Sequence, residues 1–93
     1  MSIRLIVTFQ LLPGKGKQYA EAFAPIVRET RREPGCEQYE LFASTQDPDK
    51  VVLIERWSDQ AALDTHMGVM RAREMSAVMA MRAAAPVMER FEI

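Results

Sequence analysis

Ninety-three residues with 12 Lys and Arg against 13 Asp and Glu carry a formal charge of −1, so neither a phosphate backbone nor an anionic membrane has an electrostatic reason to bind. A single cysteine, Cys36, permits no internal disulfide, and no apolar run nears the roughly 20 residues that cross a bilayer. One domain over residues 1–93 is expected, with a core marginal enough to gain from a partner chain. MSIRLIV lacks a signal-peptide pattern, so a cytoplasmic protein is expected.

The first segment, IRLIVTFQLL over 3–12, alternates Ile3, Leu5, Val7 and Phe9 against Ile6 and Thr8, a strand with apolar groups on both faces. PGKGK turns the chain, and Tyr19, Phe23, Ile26 and Val27 then recur at helical spacing. Pro25 has no amide hydrogen to donate to the Glu21 carbonyl, which predicts a kink or break. Arg28, Arg31 and Arg32 suit the helix C-terminus, and Pro34-Gly35 ends it.

CEQYELFAS reads as a second strand, with Glu37, Tyr39, Leu41 and Ala43 on one face and Gln38, Glu40 and Phe42 on the other. TQDPDK is a turn, and VVLIERW a third strand that pairs with the second as a hairpin. Parity groups Val51, Leu53, Glu55 and Trp57 opposite Val52, Ile54 and Arg56. Ser58 or Asp59 can cap a helix carrying Leu63, His66, Met67 and Met70 on one face, with Gly68 as an interruption point. Met75, Val78 and Met79 continue an apolar stripe toward Ala84, and Pro86 opens a last strand, VMERFEI.

The order β-α-β-β-α-β is that of the α+β, ferredoxin-like split β-α-β fold: an antiparallel four-stranded sheet with both helices on one face. The helix-free face also carries apolar residues, which a monomer would leave in water. Burial of apolar area at about 25 cal/mol per Å² favours a homodimer of the α+β barrel type, sheet against sheet.

EPGCEQYELF followed by DPDKVVLIERWSDQAALDTH resembles the antibiotic biosynthesis monooxygenase domain family, over Glu33 to His66 in motif and over the rest in length and element order. The resemblance implies the dimeric ferredoxin-like fold and a pocket between sheet and helices. In characterised members such pockets bind quinols, anthrones or related phenols that O2 oxidises without metal or flavin, while other relatives degrade haem or isomerise small signalling molecules. Some monooxygenase members use an asparagine on the strand that carries the Trp, and haem-degrading relatives use one on the first strand. This chain contains no asparagine, so neither mechanism transfers intact. A second His found in many members about five residues after the first is here Arg71.

For an oxygenation of that kind the protein must supply a base, a dry cavity and a donor for the developing anion. His66, the only histidine, titrates in the right range for the base. Trp57 would stack on an aromatic ligand and offer its indole N–H, or else be a core residue. Glu55 shares the face of Trp57, and needs a partner there. It would orient His66 or pair with Arg4, Arg56 or Arg90, an ion pair at a sheet edge or dimer contact being the plainer reading. Tyr39, Phe9, Phe23, Leu53, Met67 and Met70 are the remaining candidates for a small aromatic ligand's contacts; the thioethers fit a packing stripe equally well. Cys36 reads as a small buried hydrophobe. GKGK lacks the phosphate-loop spacing, and no Cys or His cluster has metal-ligand spacing.

The leading expectation is therefore a cofactor-independent monooxygenase of quinol-like or polyphenolic substrates, with His66, Trp57 and Glu55 as its catalytic group. One alternative is haem binding or degradation with His66 as axial ligand. The other is a non-catalytic dimeric module that binds a small molecule.

Overall fold

The alternation of Ile3, Leu5, Val7 and Phe9 forms strand β1 (Ile3–Gln10) in a computed structural model that describes residues 1–93, and all four side chains are buried. Helix α1 (Gly16–Thr30) buries Tyr19, Phe23, Ile26 and Thr30. The Asp49 carboxylate accepts hydrogen bonds from the Gly14 and Gly16 amides, both at 3.0 Å, tying the start of α1 to the β-hairpin turn. The expected break at Pro25 does not occur, and α1 is continuous through it. Pro25 and Glu21 both lie on the exposed side, so the carbonyl that loses its donor faces water while the buried face holds the helix on the sheet.

Strands β2 (Cys36–Ala43) and β3 (Lys50–Trp57) form the expected hairpin. Helix α2 (Gln60–Ala72) follows, then a single turn α3 (Ser76–Met79) and strand β4 (Val87–Glu92). The sheet order is β2-β3-β1-β4, antiparallel at every step. This is the α+β ferredoxin-like arrangement. Val51, Leu53, Glu55 and Trp57 project from β3 into the layer beneath the helices and join the β1 residues in the core.

Three local expectations are corrected. A bulge between Cys36 and Gln38 adds one residue to β2, and Glu37 leaves the Tyr39 face to bond Arg56 at 3.1 Å; an extra residue reverses the side from which strand parity is counted. Gly68 does not interrupt α2, which Asp59 caps through the Ala62 amide at 2.8 Å. The methionine stripe is not one helix. Arg73 adopts an extended conformation at φ −82°, ψ 141°, the chain turns, and Met79 ends up exposed while Val78 is buried.

The turn after α1 requires its glycine. Gly35 sits at φ +83°, and a Cβ there would lie 2.6 Å from the Ala62 Cβ and 2.7 Å from Ser58 Oγ. The Gly35 carbonyl accepts the Ser58 amide at 2.8 Å, so the α1–β2 turn is clamped to the start of α2.

The helix-free face carries Ile6, Val52 and Ile54, partly buried, and the exposed Phe42, Val87 and Phe91. No helix is long and apolar enough to cross a membrane.

Candidate active site

A cleft of about 210 Å³ opens between the sheet and α2, lined mostly by hydrophobic side chains. Of the nine residues singled out from the sequence, eight line it. Phe9 and Phe23 form one part of the wall with Leu53; Met67 and Met70 come from α2; Tyr39, Glu55 and His66 form the polar part.

Trp57 is the ninth, and it does not line the cleft. Its side chain is 0 % exposed, behind His66, with ring centroids 4.5 Å apart at 30°. Its indole N–H donates to Glu55 Oε1 at 2.9 Å. Of the two readings of Trp57, the core residue is what the structure shows; the other, in which it stacks on a ligand and donates to its anion, is corrected on both counts, because the imidazole covers the indole face and the N–H is already engaged. Parity predicted the side of the sheet correctly, but the approach of α2 decides which ring is outermost.

Glu55 is likewise not the edge or dimer ion pair that the plainer reading expected. It is 4 % exposed, and none of Arg4, Arg56 and Arg90 reaches it: these bond Gln38, Glu37, and Gln60 with Glu92. Burial pushes its carboxyl from the ordinary 4.5 up to about 7, with the nearby Glu33 charge adding to the rise and the indole hydrogen bond opposing it.

His66 is 2 % exposed and lies between two carboxyl groups. Nδ1 is 3.0 Å from Glu33 Oε1, and Nε2 is 3.9 Å from Glu55 Oε1. Burial holds the imidazole below its usual pKa against the opposing pull of Glu33. A neutral ring that donates Nδ1–H to Glu33 keeps its lone pair on Nε2, toward Glu55. Glu33, His66 and Glu55 thus form a chain able to take up a proton at Nε2 and stabilise the resulting imidazolium, with Trp57 fixing both ring plane and carboxylate.

Tyr39 packs edge-on against His66 at 5.4 Å. Burial first, then the Glu55 charge, raises its pKa strongly, so it stays a neutral phenol. Cys36 is partly buried at the mouth of β2, and burial pushes its thiol up to about 11, which suits the inert reading. Arg71, which stands where many relatives are expected to have a second histidine, is exposed and outside the cleft.

Sequence reasoning missed Glu33 and Arg82. Glu33 opens the stretch EPGCEQYELF that carries the family resemblance but was given no role, and it is brought to His66 by the turn that Gly35 clamps. Arg82 was buried in a supposed helical stripe. In the structure it forms an isolated bridge with Leu11 at the end of β1 and lines the cleft together with Pro86 and Met88.

Residues 2–80 match the antibiotic biosynthesis monooxygenase family. The chain is 32 % identical over 54 residues to YcnE of Bacillus subtilis, covering 58 % of this chain and 57 % of YcnE. It is also 32 % identical over 66 residues to Rv0793 of Mycobacterium tuberculosis, covering 71 % of this chain and 64 % of Rv0793. The matched segments thus span less than two thirds of either relative. Among solved structures, one described as an antibiotic biosynthesis monooxygenase superposes with a TM-score of 0.86 at 27 % identity, covering 98 % of this chain and 97 % of the other. With the family matched along most of its length and the fold reproduced from end to end, the chain belongs to the antibiotic biosynthesis monooxygenase family.

Proposed function

We propose that the protein is a monooxygenase that binds an electron-rich phenol or hydroquinone in this cleft and oxidises it with O2, without a bound metal or flavin. The observation that carries this reading is the neutral His66, held by Glu33 at one nitrogen and directing the other toward Glu55 at the floor of an apolar cleft. His66 Nε2 removes the phenolic proton, and the imidazolium formed is stabilised by Glu33. The phenolate gives an electron to O2, and the resulting radical and superoxide combine at a ring carbon. Loss of water from the hydroperoxide leaves a quinone, so that one oxygen atom enters the ring and the other leaves as water. Glu55, with a pKa near neutrality, supplies the proton for the departing oxygen. The apolar walls keep bulk water from the reactive intermediates.

The haem alternative is less well served. A porphyrin macrocycle is larger than the cleft of about 210 Å³ in which His66 Nε2 would have to meet its iron. We propose further that two copies pack sheet to sheet across the helix-free face, covering Ile6, Phe42, Val52, Ile54, Val87 and Phe91.

O2 uptake tests the proposal, measured on metal-free, flavin-free protein with naphthols, anthrones and benzohydroquinones, corrected for autoxidation. Uptake above background that collapses in His66→Gln is expected. No uptake, together with no ligand-induced rise in melting temperature, overturns it. Binding without uptake favours a non-catalytic binding module.

A further inference from the structure

The two ends of the cleft differ in charge. At the Glu55 end lie two acidic groups, with Arg73, paired to Glu29, acting on His66 only from outside the cleft, and at the other end the cleft is lined by Arg82. Its backbone is pinned on both sides, by the Leu12 amide donating to the Met81 carbonyl and the Ala83 amide to the Gln10 carbonyl, each at 2.8 Å. Its guanidinium lies 4.8 Å over the Phe9 ring, and Nε donates to the Tyr19 hydroxyl at 3.1 Å. No carboxylate of the chain lies within ion-pair distance of it. A guanidinium aligned by stacking and one hydrogen bond, and open at its remaining N–H groups, is built to receive a planar anion.

We propose that Arg82 selects the substrate: the cleft takes a flat aromatic acid whose carboxylate pairs with Arg82 while its phenolic end meets His66. This rests on reading the cleft as a site for phenols. The opposite orientation would set the carboxylate against Glu33 and Glu55, where like charge and desolvation oppose it. The spacing limits ligand length. Glu55 stands opposite Leu5, and Val51 opposite Phe9, in the β1–β3 register. Four residues of strand rise therefore separate the two ends by about 13 Å, which suits a ligand of about two or three fused rings bearing a group at each end.

The test compares the dissociation constants of 6-hydroxy-2-naphthoic acid and its neutral amide, by calorimetry at pH 7.5, on the wild type, Arg82→Gln and Arg82→Lys. The acid is expected to bind roughly 10- to 100-fold more tightly than the amide. That ratio falls to near one in Arg82→Gln and to an intermediate value in Arg82→Lys, which keeps the charge but loses the fork. Tyr19→Phe, which removes the hydrogen bond that orients the guanidinium, lowers the ratio with no change of charge. Equal binding of acid and amide by the wild type, which requires no variant to fold, overturns the inference and leaves the phenol reading standing. So does a preference that survives in Arg82→Gln. If neither compound binds, the phenol reading falls and the role of Arg82 falls with it.

Discussion

The two ends of the cleft satisfy their polar groups in different ways. At the Trp57 end the indole N–H, one Glu55 oxygen and His66 Nδ1 all find partners within the protein, and Trp57, Glu55 and His66 are almost wholly buried. At the Phe9 end the Arg82 guanidinium is half-buried, stacked and without a carboxylate. A closed network fixes proton positions and shifts pKa values, whereas an unmatched charge leaves its interaction energy for a ligand. The first arrangement suits chemistry and the second suits selection.

Removing the base should separate the ends most sharply. His66→Gln is expected to lower the rate of phenol-dependent O2 uptake by about 10²- to 10⁴-fold, while the acid-over-amide binding preference at Arg82 persists. A parallel loss of both in folded protein would show that the two ends are not independent.

Glu55→Gln gives the next effect, on stability and with a definite sign. The folded-state pKa of about 7 lies above the ordinary 4.5, so between these pH values the folded protein retains a proton that the unfolded chain has released. Wild-type stability therefore falls as pH rises through this window, by up to about 3 kcal/mol, and the loss is complete above pH 7. The lowered pKa of His66 acts oppositely, removing stability as pH falls below the ordinary 6.5. Thermal melts from pH 4.5 to 8.5 should show Glu55→Gln gaining on the wild type toward alkaline pH. Curves that stay parallel would mean Glu55 is not held protonated by burial.

Gly35→Ala tests the clamp that brings Glu33 to His66. The left-handed backbone and the contacts with Ala62 and Ser58 predict a loss of about 2 kcal/mol by denaturant titration. The imidazole titration followed by NMR should also move, because the Glu33 contact loosens. Trp57→Phe should be milder in stability, about 1 kcal/mol from the lost indole hydrogen bond. It should raise the Glu55 pKa further, which a shift of the pH–rate profile would report. An unchanged profile would reduce Trp57 to packing.

The elements and the faces of the strands were legible in the residues. Period-two alternation in β1 and β3 placed Leu53, Glu55 and Trp57 on one buried face, and the 3.6-residue period placed His66, Met67 and Met70 on a common side of α2. Errors arose where one residue changes the count, as at the Glu37 bulge, or where backbone geometry changes without a glycine or proline to announce it, as at Arg73. Pro25 erred in the other direction, since a breaker on a solvated face does not break a helix whose opposite face is packed.

The sequence by itself determined the order of elements, the apolar faces and most of the cleft wall, because these depend on short-range periodicity and on burial that follows from it. Only the tertiary structure decided that His66 covers Trp57, that Glu33 reaches the imidazole across 33 positions, and that Arg82 closes the far end. Those contacts depend on the angle at which a helix meets a sheet and on where two turns return the chain. Such long-range geometry leaves no local pattern in the residues it joins.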